Sequence, residues 1–265
     1  MGKKEKLKQA LVAAVKKLAK GKIALLLSGG LDSSVIAKIL KDLRITFTAY
    51  TSDFGGPDTA IAKKLSKQLR LKHKTLHFTG NPEKLVEQAV KITKTTDPVQ
   101  ISVAIPMILA AEAAAKDGNR MLFSGLGSDE FLCGYGSHAK AMEKGYKAVH
   151  SECLHRLVQV RKDIKRDSAV CRHFGLKPAL PFMDKKVVNT ALSIHPQEKI
   201  SPTQKKIVLR KIAKEIGLPE YVYNRPKKAA QYGSGSFTIL KCISKEKGFK
   251  FVKDYLGYVN SASIS

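Results

Sequence analysis

The sequence has 265 residues, 43% of them hydrophobic, so it can bury a large core in one domain with or without a helical extension. Its 48 Lys and Arg residues against 22 Asp and Glu residues give a net charge of +26. This charge favours anionic partners, although a solvated lysine-rich surface is the simpler explanation because the basic residues are spread along the chain. The four cysteines form no Cys-x-x-Cys pair, which argues against a zinc site and for reduced, cytoplasmic thiols.

The sequence predicts neither a signal peptide nor a membrane-spanning segment. The longest apolar stretch, near residues 103–115, is interrupted by Pro106 and Glu112 and is too short to cross a bilayer. Residues 1–20 are lysine-rich, with apolar residues at helical spacing such as Leu7 and Leu11, and predict a separate N-terminal basic helix. A surface helix is the default interpretation, and an RNA-contacting helix is the alternative.

An apolar run from Ile23 to Leu27 ends in the sequence Ser-Gly-Gly-Leu-Asp-Ser-Ser, residues 28–34, here called the first turn. The pattern predicts a buried strand, a tight glycine turn and the start of a helix. Backbone N–H groups at the start of a helix lack partners and lie at the positive end of its dipole, so the turn is suited to bind an anion. Asp32 adds a carboxylate that a phosphate-bound Mg²⁺ would use.

Strands and helices alternate after the first turn. We predict strands at 45–51, 74–78 and 120–123, and helices at 59–70, 82–93 and 103–116. This alternation indicates an α/β fold with a parallel sheet over residues 21–175, in which ligands bind at the carboxyl ends of the strands.

A second glycine-rich segment, Ser124–Glu130, follows the last of these strands and is here called the second turn. We expect it to face the first turn across a cleft, so that Asp129 and Asp32 would both bind Mg²⁺. The alternative is that Asp129 and Glu130 only cap a helix.

Residues 143–173 predict two basic amphipathic helices. Residues 176–265 predict a helical C-terminal part, with a proline-rich bend at 178–184, helices at 185–193 and 203–216, and a weak helix with a frayed tail from Ile239. The loop from Asn224 to Gly235 carries three cations, including Lys227, and its composition suits a lid over phosphates, although an exposed basic turn has the same composition.

The first turn resembles the PP-loop of the ATP pyrophosphatases, which split ATP into AMP and pyrophosphate. It is followed in order by SGLGSDEFLCGY, PALPFMD, Lys206 to Arg210, and NRPKKAAQYGSG. Together these segments resemble the synthetase domain of the asparagine synthetase and β-lactam synthetase family, over residues from about 21 to about 236.

The resemblance implies roles for individual residues. The ATP phosphates would be held by Ser28, Gly29, Gly30, Ser33 and Ser34, and the adenosine pocket would be lined by Leu27, Ser124 and Gly125. Asp32 and Asp129 would bind Mg²⁺, and Lys227 would neutralise the departing pyrophosphate. Asp184, Lys206 and Arg210 would support the site. The implied reaction adenylates a small carboxylic acid, with aspartate the conventional one, and then transfers an amine to the acyl carbon.

The sequence departs from the family pattern at two positions. Gly2 stands where the full-length enzymes carry a glutaminase cysteine, so we expect this chain to use free ammonia, another amine or a separate glutaminase partner. Leu126 stands where asparagine synthetases carry a glutamate, which a leucine cannot replace as a proton acceptor.

Two alternatives therefore stay open beside an amide ligase. One is an enzyme that uses the same ATP chemistry to adenylate a base in RNA, which the net charge motivates. The other is an ATP-binding protein without catalytic activity, which Leu126 motivates.

Overall fold

Five parallel strands form one sheet in the computed structural model, which describes residues 2–226 and 229–262. The strands are β1 (Ile23–Leu26), β2 (Phe47–Asp53), β3 (His73–His77), β4 (Met121–Phe123) and β5 (Lys177–Ala179). Their spatial order is β3-β2-β1-β4-β5, and Ile23 lies beside Phe47 on one side and Met121 on the other. This arrangement confirms the predicted α/β fold with a parallel sheet.

Helices surround the sheet. In the first half of the chain they are α1 (Lys3–Leu18), α2 (Leu31–Asp42), α3 (Asp58–Gln68), α4 (Pro82–Thr93), α5 (Pro98–Lys116), α6 (Ser128–Phe131) and α7 (Gly136–Met142). In the second half they are α8 (Tyr146–His173), α9 (Lys185–Ser193), α10 (Ile207–Glu215), α11 (Glu220–Tyr223), α12 (Ala230–Gly233), α13 (Ser236–Glu246) and α14 (Val252–Ala262), with short 3-10 turns at Pro181–Met183 and Pro196–Glu198.

Each face of the sheet carries its own hydrophobic core, because alternate residues of a strand point to opposite faces. Leu25 of β1 packs with α1, α2, α9 and α10, whereas Ala24 packs on the other face with α4, α5, α13 and α14. The chain leaves β1 toward β2 on one side and returns to β4 on the other. The loops after β1 and β4 therefore diverge, and a crevice opens between them.

Helix α5 is the central helix of the second core. It has 19 residues and a mean hydropathy of 1.5 over its most apolar window, so it meets the length and composition requirements of a membrane-crossing helix. Most residues from Ile101 to Ala114 are nevertheless buried, and the helix packs against α4, α8 and β2, as the core helix of a folded domain does. The helix begins at Pro98, earlier than predicted, because the Asp97 carboxylate caps its first turn and proline is well tolerated there.

Other predicted elements also differ from the structure. Residues 146–173 form one helix and not two, since this segment contains neither proline nor glycine to end it. The bend at Pro178 begins as the edge strand β5, where a proline lacking an N–H is tolerated, so the C-terminal part contributes a strand to the sheet. The tail forms α13 and α14, which are stabilised by burial of residues such as Leu240 and Leu256 in the second core.

Candidate active site

A cleft of about 480 Å³ opens at the crevice between the β1 and β4 ends. Its phosphate end, as we name it, consists of Ser28, Gly30, Asp32, Asp129, Lys206 and Arg225. Its helical end consists of Leu126, Tyr135 and the α8 residues Arg156, Gln159 and Lys162. The two predicted turns thus face one cleft, as the parallel topology requires.

The first turn is internally hydrogen-bonded. The Ser34 hydroxyl donates to the Gly30 carbonyl at 2.7 Å, and the Ser28 and Ser33 hydroxyls lie 3.1 Å apart. Ser33 and Ser34 are buried behind the turn, whereas Ser28 and Gly30 line the cleft. Gly29 has φ +69°, and a Cβ there would lie 2.8 Å from the Asp58 carbonyl oxygen, so only glycine fits this bend.

Asp32 and Asp129 converge on one ammonium group. Lys206 Nζ lies 2.7 Å from both Asp32 carboxylate oxygens, 2.5 Å from Asp129 Oδ1 and 2.8 Å from the Ser128 hydroxyl oxygen. Burial opposes ionisation of Lys206, but the charges of Asp129 and Asp32 outweigh burial and raise the pKa of its ammonium group. The two strand ends are therefore joined by a buried cation.

The same carboxylates fit the chemistry of a magnesium site. Both side chains are 22% exposed and line the cleft, whereas the Lys206 side chain beneath them is 3% exposed. Carboxylate oxygens on two neighbouring strand ends are the donors that Mg²⁺ uses together with nucleotide phosphates. Asp32 and Asp129 are accordingly the residues that would hold the ion.

Two glycines set the spacing of these carboxylates. A Cβ on Gly125 would lie 2.7 Å from Asp32 Cβ, so the second turn touches the first turn at this point. A Cβ on Gly134 would lie 1.7 Å from Asp129 Oδ1 and 2.7 Å from Lys206 Cε. Gly134 was not predicted as a site residue, because its approach to Lys206 joins segments that are distant in sequence.

The C-terminal part closes the phosphate end through Arg225. Its guanidinium donates to the Asp58 carboxylate at 2.6 Å and to the Gly29 carbonyl at 3.1 Å. Arg210, from α10, donates to the carbonyls of Tyr223 and Arg225 and so holds this loop in place. Arg225 was not among the predicted site residues, although it belongs to the basic loop that was.

A buried carboxyl group that was not predicted as a site residue lies against Tyr135 of the helical end. Glu130 is 2% exposed, and the Tyr135 hydroxyl donates to its Oε1 at 2.7 Å. Burial, reinforced by the charge of Asp129, raises the pKa of Glu130 to about 7. The Arg156 guanidinium lies 5.0 Å from the Tyr135 ring centroid. At this end, the Tyr135 phenol is hydrogen-bonded to a titratable carboxyl group and lies beside the Arg156 cation of α8.

Other predicted site residues lie outside the lining of the cleft. The Leu27 side chain is fully buried in the first core, and Ser124 is 5% exposed at the β4 end. Asp184 does not support the cleft as predicted: it caps α9 and pairs with Lys17 of α1, since an aspartate before a helix readily accepts its first N–H groups. Lys227 lies outside the described residues.

Comparisons with known proteins show which family this chain resembles. The sequence profile of the asparagine synthase family matches residues 6–157 and 141–244. A Methanocaldococcus jannaschii protein, named as a glutamine-hydrolysing asparagine synthetase, is 30% identical over 99% of this chain and 56% of its own length. Asparagine synthetase B of Escherichia coli K12 is 30% identical over 88% of this chain and 45% of its own length.

The chain spans about half the length of the curated relatives that it matches. Among solved structures, the NMN synthetase from Francisella tularensis aligns over 99% of this chain and 94% of its own, with 15% identity and a TM-score of 0.49. The family profile covers both turns, the helix α8 and the Lys206–Arg225 region that form the cleft. The chain belongs to the asparagine synthase family.

Proposed function

We propose that this protein is an ATP-dependent, AMP-forming amide ligase that adenylates a small carboxylic acid and then joins the acyl group to an amine. The observation that carries the proposal is the convergence of Asp32 and Asp129, from adjacent strand ends, on the single cation Lys206. Membership of the asparagine synthase family supports the same reaction class. A pair of carboxylates at the crevice of a parallel sheet suits the binding of MgATP.

The groups that line the cleft would have distinct roles in this reaction. Ser28 and Gly30 would face the ATP phosphates at the start of α2, where the helix dipole favours negative charge. Asp32 and Asp129 would hold Mg²⁺, which when bound neutralises charge on the phosphates. Arg225 donates to the Gly29 carbonyl of the first turn, where its cation would stabilise the leaving pyrophosphate, and the family resemblance gives Lys227 the same role. The acid would attack the α-phosphorus, which releases pyrophosphate.

The helical end would receive the acid and the amine. Arg156 and Lys162 give this end cations that suit a carboxylate, and aspartate is the first acid to test because of the family. Leu126 lines the cleft here and accepts no proton, so the amine must lose its proton to another group. The nitrogen would come from ammonia, from another amine or from a separate glutaminase partner.

The test is ATP–pyrophosphate exchange with Mg²⁺ and a panel of carboxylic acids that includes aspartate. We expect exchange with at least one acid, and a loss of about a hundredfold or more in Asp32→Asn, because the electrostatic groups of such a site typically contribute this much. Asp254→Asn changes an exposed carboxylate on α14 and should leave exchange unaltered.

Three results would count against the proposal. Exchange in Asp32→Asn at the wild-type rate would remove the assigned metal role. AMP formation that requires added tRNA, and no acid, would favour the RNA-modifying alternative. Magnesium-dependent ATP binding with no AMP from any substrate would favour an ATP-binding protein without catalysis.

A further inference from the structure

A second cluster of reactive side chains lies beneath the second turn, away from the cleft. Cys133 follows α6, His138 lies in α7 and Cys153 lies in α8, and all three are fully buried. One sulfur or imidazole nitrogen from each lies within 4.8 Å of the others. Among the residues that the structure describes, this is the one group of three such side chains with metal-site spacing. None of the three lines the cleft.

We propose, against the expectation from the cysteine spacing, that Cys133, His138 and Cys153 bind one zinc ion that fastens the segment after the second turn to α8. The distance between the two sulfurs, 3.8 Å, carries the proposal. Two Zn–S bonds of about 2.3 Å at a tetrahedral angle place their sulfurs about 3.8 Å apart. A disulfide would need the sulfurs at about 2.05 Å. The cysteines are free, and thiolate with imidazole is a donor set that suits Zn²⁺.

The surroundings of His138 agree with a ligand role. Its Nε2 donates to the Glu130 carbonyl at 3.0 Å, which is the kind of outer contact that orients a metal-binding imidazole. Its Nδ1 accepts the Tyr135 backbone N–H over a longer 3.3 Å. Because Nε2 keeps its hydrogen for the carbonyl, Nδ1 carries the lone pair, and zinc would take it in place of this longer bond from Tyr135.

A buried cation near the sulfurs favours their metal-binding form. Lys199 is fully buried, and its ammonium donates to the Ala191 carbonyl at 3.1 Å. The charge of Lys199 acts on both sulfurs. Thiolates are the ligands of zinc, and two of them neutralise the charge of the ion in this dry environment.

The proposed ion would act on the cleft through the backbone. Asp129 and Glu130 lie in α6, and Tyr135 lies between α6 and α7, so Cys133 and His138 would hold the segment that carries all three. Cys153 belongs to α8, which also carries Arg156. Zinc would therefore couple the carboxylate that lines the phosphate end to the helix that lines the helical end. It would serve as a structural ion and would take no part in the chemical step.

The test measures zinc directly. The full chain is purified under reducing conditions, stripped with a chelator, titrated with Zn²⁺ against a chromophoric chelator, and separately loaded with Co²⁺. We expect one zinc per chain, a thiolate-to-cobalt charge-transfer band, and a Tm that rises by several degrees with zinc. Cys153→Ser should weaken zinc binding by tenfold or more and abolish the band. Cys171→Ser, a buried cysteine of the same helix outside the cluster, is the matched control and should bind as the wild type does.

The proposal is overturned if the wild-type chain takes up no zinc and gives no cobalt band, a result that requires no variant to fold. It is equally overturned if Cys153→Ser binds zinc as tightly as Cys171→Ser. The wild-type chain is purified under reducing conditions. If it nevertheless contains a Cys133–Cys153 disulfide that excludes zinc, the cluster is a redox pair and the metal site is disproved.

Discussion

The two ends of the cleft are built differently. At the phosphate end, charged groups from segments distant in sequence are locked together, with Asp32, Asp129 and Lys206 in one ion-pair cluster and Arg225 bound to Asp58. At the helical end, Lys162 of α8 is exposed and Arg156 pairs with Glu152 one turn away on its own helix. Under the proposed function, this difference gives the phosphate end a fixed task and leaves the helical end open to change in the acid that it would accept.

The largest expected effect comes from removing the cation that joins the strand ends. Lys206→Met should reduce the free energy of unfolding by about 3 kcal/mol, because it leaves two carboxylates facing each other without their partner. Urea unfolding would measure this loss. Mg²⁺ should restore part of it by taking the place of the ammonium group, and Lys162→Met, at the exposed helical end, should show neither effect. A loss below about 0.5 kcal/mol, typical of surface positions, would contradict the tight construction of the phosphate end.

The pH dependence of the free energy of unfolding tests the burial of Glu130 beside the helical end. Its pKa in the folded chain is raised to about 7 by burial, so the folded state holds a proton that the unfolded state releases near pH 4.5. Stability should therefore fall as the pH rises from about 4.5 to about 7, by about 3 kcal/mol in total, since each pKa unit corresponds to about 1.4 kcal/mol.

Glu130→Gln should remove this part of the pH dependence, because glutamine does not titrate. Unfolding curves of both proteins between pH 4 and pH 8 make the comparison, with Asp254→Asn as an exposed control. Identical pH profiles for the wild type and Glu130→Gln would show that the carboxyl group is not in the dry environment that the fold describes.

Substitution of Asp184 tests whether resemblance to a family is enough to identify a site residue. Asp184→Ala should destabilise the protein by about 1 kcal/mol, through loss of the α9 cap and the contact with Lys17, without altering ATP–pyrophosphate exchange. Thermal unfolding and exchange measured on the same sample separate the two effects. Reduced exchange in a fully folded Asp184→Ala variant would show that a residue outside the cleft lining contributes to the reaction at the phosphate end.

The smallest expected effect lies at the exposed rim of the helical end. Lys162→Ala should raise the KM for the acid about two- to fivefold and leave the KM for ATP unchanged, since an exposed charge contributes about 0.5–1 kcal/mol. High salt should reduce the difference between the two proteins. An equal rise in both KM values would mean that the two ends do not divide the substrates between them.

The sequence was sufficient to predict four of the five strands and to bring Asp32 and Asp129 to one crevice, because both follow strands whose apolar runs and glycine turns are local signals. The bridge by Lys206 was not predictable in detail, since the resemblance marked it only as a supporting residue. Arg156 and Lys162 were missed because a basic helix face has the same pattern whether it meets solvent or a cleft. Their position at the cleft depends on the packing of α8 on α5 and α6, which the pattern of the helix does not reveal.

The contact of Gly134 with Asp129 and Lys206 has a consequence for how this protein can vary. No ligand needs to touch Gly134 for its identity to matter, because the space that a methyl group would fill already holds a carboxylate oxygen. A saturation-mutagenesis scan should therefore find this position intolerant, like Gly125 beside Asp32, while the exposed α8 positions accept many residues. In such a scan, the intolerant glycine positions would mark the close packing around the two carboxylates as clearly as the carboxylate positions themselves do.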